Sequence, residues 1–137
     1  MTDVFTPEER RRIMARVKGS HTRPEILVRS LVHRMGFRFR LHRRDLPGCP
    51  DLVLKKHRKV IFVHGCFWHG HEGCRRSARP TTNTEFWNRK LSGNTERDRR
   101  NQEALKKDGW KVLVVWECET KDAEKLKEML GDFLLER

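Results

Sequence analysis

Residues 60–74, VIFVHGCFWHGHEGC, join two kinds of chain in one stretch. Val60, Ile61, Phe62 and Val63 are β-branched or aromatic with no polar interruption, the pattern of a buried strand. Then the chemistry changes abruptly. His64, Cys66, Phe67, Trp68, His69, His71 and Cys74 are threaded with Gly65, Gly70 and Gly73, and glycine permits tight turns around a compact centre. A strand that runs into imidazoles, thiols and aromatics predicts a functional loop at the edge of a sheet.

Upstream, Asp45-Leu46-Pro47-Gly48-Cys49-Pro50-Asp51 is rich in turn formers and delivers Asp51 to the start of a short apolar strand, Leu52–Leu54. Lys55 to Arg58 makes a polar reversal, so the strand from Lys59 to His64 pairs most simply antiparallel to Leu52–Leu54. That hairpin puts Asp51 and the 63–64 region at the same end of two neighbouring strands. Phe37 to Leu41 alternates apolar and basic residues, as a half-buried strand does. Before it, Thr22-Arg23-Pro24-Glu25 has the form of a capping box, and Leu27, Val28, Leu31, Val32 and Met35 continue an amphipathic helix that Gly36 ends. Capping alone is a complete explanation of Glu25. An earlier helix is predicted from Thr6-Pro7-Glu8-Glu9 to about Lys18, with Ile13, Met14 and Val17 on one face of an arginine-rich segment. That face suits either the protein's own core or a DNA surface.

Downstream, residues 75–84 read as irregular. Two helical pieces follow, near Glu85–Leu91 and from an Asn94 cap to Asp108, with Ser92-Gly93 between them as a weak point. Gly109 closes the second, Trp110 to Trp116 is another apolar strand ending in Glu117 and Cys118, and a last helix spans about Asp122 to Leu135. The order of elements predicts a single α/β domain over residues 1–137, with a mixed central sheet and helices on its faces.

Among 137 residues, 31 Lys and Arg stand against 19 Asp and Glu, a formal charge of +12 that points to a polyanion such as nucleic acid. From Glu117 to Arg137 acids outnumber bases, so the positive field belongs to the earlier segments. No apolar leader and no membrane-length stretch are present, which predicts an intracellular protein with no membrane partner. In that setting the four cysteines read as metal ligands rather than disulfides. Cys66, His71 and Cys74 are close enough to wrap one zinc ion, and Cys118 can supply a fourth ligand from the end of the later strand. The bland reading is one core cysteine and some surface thiols. Cys49 has no evident place in such a site and reads as a packed small residue.

A Pro-Asp pair is weak evidence by itself, but Asp51 at a hairpin end suits a site where Mg²⁺ meets a phosphate. His64 and His69 are the nearby groups suited to taking a proton at neutral pH. Between Lys59 and His64 the partner strand carries no acid, which argues against a two-carboxylate site. Phe67 and Trp68 are either buried under their loop or a wedge that unstacks bases.

Taken together, PGCPD (47–51), VIFVHGCFWHGH (60–71), TEFW (84–87), ERDRR (96–100) and GWKVLVVWEC (109–118) closely resemble the very short patch repair, or Vsr, endonucleases. The resemblance runs from Met14 to Cys118. It implies a restriction-endonuclease-like fold, related to the PD-(D/E)xK nucleases and stabilised by structural zinc. The activity it implies is a Mg²⁺-dependent nick in duplex DNA, 5′ of the thymine of T:G mismatches left by deamination of 5-methylcytosine. By the same resemblance, Asp51 and the carbonyl of Val63 hold magnesium, His69 is the general base polarised by Asp98, His64 is a second active-site histidine, and Glu25 lies near the metal waters. Zinc falls to Cys66, His71, Cys74 and Cys118. Phe67, Trp68 and Trp87 intercalate, Met14 enters from the other groove on an N-terminal arm (residues 1–20), and Lys90 and Asn94 contact the recognition site. The implied setting is a monomer in the bacterial cytoplasm, on nucleoid DNA, beside other repair proteins. The His71–Cys74 loop is one residue longer than the family pattern. Two rivals remain: a nuclease of the same fold without mismatch preference, and a zinc-stabilised DNA-binding module with a dead active site.

Overall fold

The structure, a computed structural model, describes residues 22–136. The helix expected over about Thr6–Lys18, with Met14 and the 1–20 arm, lies outside them. The described elements are α1 (Arg23–Arg34), β1 (Arg40–Leu41), β2 (Leu52–Leu54), β3 (Lys59–His64), α2 (Thr84–Lys107), β4 (Lys111–Trp116) and α3 (Ala123–Leu135). The sheet order is β1-β2-β3-β4, antiparallel at the first two junctions and parallel at the third. A parallel pair needs a long crossover, and α2 supplies it.

Alternation along β3 distributes the core. Ile61 packs with Val28, Leu31 and Val32 of α1 and Leu126, Leu130 and Leu134 of α3. Val60 and Phe62 point the other way, towards Leu105 of α2 and Trp110. The result is three layers, with α1 and α3 on one face of the sheet and α2 on the other. Each aliphatic side chain removed from water in this way contributes about 1.5–3 kcal/mol. Lys59, buried at the start of β3, donates to the carbonyl oxygens of Phe133 (2.7 Å) and Leu134 (3.1 Å), satisfying acceptors that the end of α3 leaves open.

Three expectations need correction. The strand predicted over Phe37–Leu41 is paired only at Arg40 and Leu41, because β2 turns into a 3₁₀ segment at Lys55–His57 and leaves Arg38 no strand to pair with; Phe37 and Phe39 pack against the first core cluster instead. The helical pieces predicted on either side of Ser92-Gly93 are one 24-residue helix. An interior glycine costs about 1 kcal/mol relative to alanine but keeps its hydrogen bonds, and fully buried Leu91 anchors the helix at that point. Capping does not exhaust Glu25: its N–H donates to Thr22 Oγ1 (3.4 Å), but its carboxylate turns to Arg29 and His42.

The topology brings the loops together. The ends of parallel β3 and β4 emerge side by side, His64 opposite Trp116, and the start of antiparallel β2 lies at that same end. Asp51, the 64–74 loop and Glu117–Cys118 are therefore neighbours. Among the described residues no helix is long and apolar enough to cross a membrane.

Candidate active site

A cleft of about 650 Å³ opens at this end of the sheet, and Glu25, Asp51, Val63, His64, His69 and Asp98 all contribute to its walls. Asp51, reached through Cys49 in the left-handed region (φ 49°), accepts a hydrogen bond at Oδ2 from the Val63 N–H (2.7 Å). In an extended strand the N–H and C=O of one residue point to the same side, so the Val63 carbonyl lies on the side of β3 that its N–H presents to Asp51. Burial pushes the Asp51 carboxyl above its ordinary range, against the pull of the Val63 N–H and nearby His42 and His69. A half-buried carboxylate of this kind gains from a cation.

His69 reaches the cleft from the loop after β3, and Asp98 comes from α2. His69 Nδ1 and Asp98 Oδ2 are 2.6 Å apart. With Nδ1–H donated to the carboxylate, Nε2 carries the lone pair that can accept a proton. His64 stacks face to face on His69, with centroids 3.8 Å apart and planes 6° from parallel. It is 5 % exposed, and its Nδ1 has no hydrogen-bond partner among the described residues. Burial first, and the adjacent His69 second, push its pKa down to about 3. Burial thus disfavours the protonated ring of His64, and its stacking on His69 fixes the orientation of the two imidazoles.

Sequence reasoning missed His42. Its Nε2 lies 2.9 Å from Glu25 Oε1 and 3.7 Å from Asp51 Oδ1, two carboxylates that line the cleft. A lone histidine at the end of a strand carries no spacing signal, so only the fold could place it. Arg29, bonded to Glu25, was legible as an i, i+4 pair. Cys49, expected to be an ordinary packed residue, is half-buried and lines the cleft.

The aromatics lie in neither core cluster. Phe67 meets Trp68 edge-on at 5.0 Å and Trp87 at 5.6 Å, Trp68 and Trp87 are 6.0 Å apart, and Phe86 extends the group at 57 % exposure. All three expected intercalators are half-buried at the rim, so loop burial alone does not account for them. Lys90 and Asn94 of α2 line the same cleft. Asn94 is no helix cap: its Nδ2 donates to the Trp68 carbonyl (3.0 Å), fastening the aromatic loop to α2. Gly70 permits that approach, since a Cβ there would stand 2.9 Å from Thr95 Oγ1.

On the far side of the loop, the donor atoms of Cys66, His71, Cys74 and Cys118 all lie within 4.8 Å of one another. His71 Nδ1 is 3.4 Å from Cys118 Sγ, and the ring stacks on Trp116 at 4.2 Å. Ser77 Oγ sits 2.7 Å from the carbonyl oxygens of both His71 and Cys74, securing the turn, while Gly73 takes a positive φ of 69° within the longer loop. Burial pushes the Cys66 thiol up to about 12. Three sulfurs and one imidazole at this separation make a donor set chemically suited to zinc.

Comparison with known proteins places these features in context. The family described as DNA mismatch endonuclease Vsr matches residues 2–76. The chain is 51 % identical over 134 residues to the type II nicking enzyme V.XorIIP of Xanthomonas oryzae pv. oryzae, covering 98 % of each. It is 43 % identical over 128 residues to the DNA mismatch endonuclease Vsr of Escherichia coli, covering 93 % of this chain and 81 % of the relative. Among solved structures, the catalytic domain of the homing endonuclease I-Bth0305I superposes with a TM-score of 0.59 over 83 % of this chain and 95 % of that one; at 22 % identity the likeness is one of fold.

Proposed function

This chain belongs to the Vsr family, a DNA endonuclease of the mismatch-repair type, and from that premise we propose that it nicks duplex DNA 5′ of the thymine in T:G mismatches, in a Mg²⁺-dependent reaction that initiates very short patch repair. The observation that carries this reading is the meeting of Asp51 and His69, brought by different segments into one cleft, with Asp98 fixing the His69 tautomer.

In this reading Asp51 and the Val63 carbonyl hold Mg²⁺, and the one-carboxylate donor set suits an ion that keeps several waters and takes phosphate oxygens. Mg²⁺ bound there supplies charge neutralisation for the scissile phosphate and its leaving oxygen. His69 Nε2 takes the proton of the attacking water, Asp98 holds His69 in place, and His64 excludes water from the face of the ring. Glu25 organises solvent beside Asp51. Cys66, His71, Cys74 and Cys118 hold zinc as a cross-link between the 64–74 loop and the end of β4.

Phe67, Trp68 and Trp87 form the wedge that opens the stack beside the mismatch. A T:G wobble pair resists that deformation less than a matched pair, so ease of opening itself discriminates. Lys90 meets the backbone or bases of the recognition site, while Asn94 serves there and as anchor of Trp68. Met14, on the arm of residues 1–20, enters from the opposite groove. We further read residues 1–137 as one restriction-endonuclease-like domain, acting as a monomer on nucleoid DNA in the bacterial cytoplasm with other repair proteins. The test is strand-specific nicking of duplexes carrying T:G, matched C:G or other mismatches in varied flanks, with Mg²⁺ or with chelator. Equal nicking of T:G and C:G duplexes overturns the mismatch reading, and undiminished nicking in chelator overturns the metal reading.

A further inference from the structure

Glu25, His42 and Asp51 come from three separate places in the chain, yet their ligand atoms converge within 4.8 Å. Each carboxylate has one oxygen already committed. Glu25 Oε2 pairs with Arg29, and Asp51 Oδ2 accepts from the Val63 N–H. Glu25 Oε1 and Asp51 Oδ1 both lie near the His42 ring, with Nε2 at 2.9 Å from the first and 3.7 Å from the second.

The backbone is arranged to put the imidazole there. Residue 42 occupies the left-handed region (φ 49°), where a side chain is disfavoured, and its N–H donates to the Asp51 carbonyl oxygen (3.2 Å). His42 is therefore tied to Asp51 through the main chain, with its ring beside the carboxylate. An octahedral ion with bonds of about 2.1 Å needs neighbouring donors about 3.0 Å apart and opposite donors about 4.2 Å apart. The 2.9 Å separation fits neighbouring donors, and the 3.7 Å separation falls between the two values, so a shift of about half an ångström at Asp51 would seat such an ion. One nitrogen and two oxygens presented together differ in kind from an all-oxygen magnesium site, because imidazole favours first-row transition ions while Mg²⁺ favours oxygen and keeps its water.

We propose that His42 is a nitrogen ligand which, with Asp51 and Glu25, completes a three-residue site for a divalent transition ion such as Mn²⁺, bound more tightly than Mg²⁺. The proposal rests on the reading of Asp51 as a metal carboxylate and adds a residue and a selectivity to it. The opposing account makes His42 a cross-link that joins the two carboxylates and must move aside for any ion. The two differ in the sign of one measurement.

The full-length protein as purified, its thiolate cluster left loaded, is titrated with Mn²⁺ and separately with Mg²⁺. Nitrogen coupling to the bound Mn²⁺ is read by pulsed electron paramagnetic resonance, and thermal melting checks that each variant is folded. Wild-type protein is expected to bind Mn²⁺ at least about tenfold more tightly than Mg²⁺. His42→Gln is expected to weaken Mn²⁺ binding on the order of tenfold, to change Mg²⁺ binding far less, and to lose the nitrogen coupling. Unchanged or tighter Mn²⁺ binding by His42→Gln, or coupling that persists in it, overturns the proposal. Asp51→Asn separates the two levels. If wild-type protein binds neither ion, or binds them equally well without Asp51, the metal reading of the cleft falls and takes this inference with it. Binding that needs Asp51 but shows no coupling from His42 leaves that reading standing and removes the ligand assignment alone.

Discussion

Two clusters of ligand-bearing side chains flank one loop, and they are built differently. On one side Cys66, His71, Cys74 and Cys118 surround a common point, with His71 stacked on Trp116. On the other, Asp51, Glu25 and His69 stand in the wall of an open cleft, with His42 beside the two carboxylates. His64 and Trp116, whose rings meet edge-on at 5.3 Å, belong to the partition between them. The thiolate side uses all its donors on itself, which suits a cross-link. The carboxylate side lines an open cleft, which suits chemistry on something that enters. Neighbouring positions on one loop, His69 and His71, thus join different clusters according to which face they take.

The sharpest way to break this comparison is to remove one side and ask whether the other notices. His69→Ala is expected to reduce nicking about 10²–10⁴-fold, the range of a lost general base, with mismatch binding and melting temperature nearly unchanged. Comparable loss of binding would make His69 a structural residue. Asp51→Asn should likewise abolish nicking yet raise the melting temperature of metal-free protein, because burial makes the Asp51 charge unfavourable; a lower melting temperature would show the carboxylate to be structural.

Next in size is the thiolate side. Cys118→Ala is expected to release one zinc per chain and lower the melting temperature markedly, with nicking lost only in step with folding. The three-layer core does not depend on that site, so the loss should fall short of the complete unfolding seen when a zinc finger loses its metal. Unaltered zinc content and melting would remove Cys118 from the cluster. Trp68→Ala tests the rim. It should weaken mismatch binding by about 1–3 kcal/mol, the scale of one aromatic stacked on a base, and leave zinc content alone.

A further effect, seen only as the pH falls, concerns the partition. His64 has its pKa depressed to about 3 by burial and by His69, so the unfolded chain binds the extra proton more readily than the folded one. Stability contributed by keeping His64 neutral is complete above about pH 6.5 and is lost progressively as pH falls from there towards about 3. His64→Asn is expected to flatten the dependence of unfolding free energy on pH in that window. An unchanged slope would assign acid sensitivity to other groups.

Much of the fold was legible because its signals are local. The apolar run at 60–63, the Lys55–Arg58 reversal and the glycines at 36 and 109 each act within a few residues, and each marks a real boundary. The break expected at Ser92-Gly93 shows the limit of such signals, since a buried Leu91 outweighs a local weakness. In the cleft, Asp51 and the 64–74 loop were legible because a hairpin joins them over a short distance in sequence.

The sequence by itself determined the donors: which thiols, imidazoles and carboxylates exist, and that a short hairpin would bring Asp51 to the end of the strand that opens into the loop. Which donors face each other depends on how the layers pack. The parallel register of β3 with β4 carried Cys118 to His71, packing of α2 carried Asp98 to His69, and the approach of α1 to the sheet carried Glu25 to His42. Those pairs are separated by 47, 29 and 17 residues, and such meetings are set by burial of whole faces, which no pattern near either residue records.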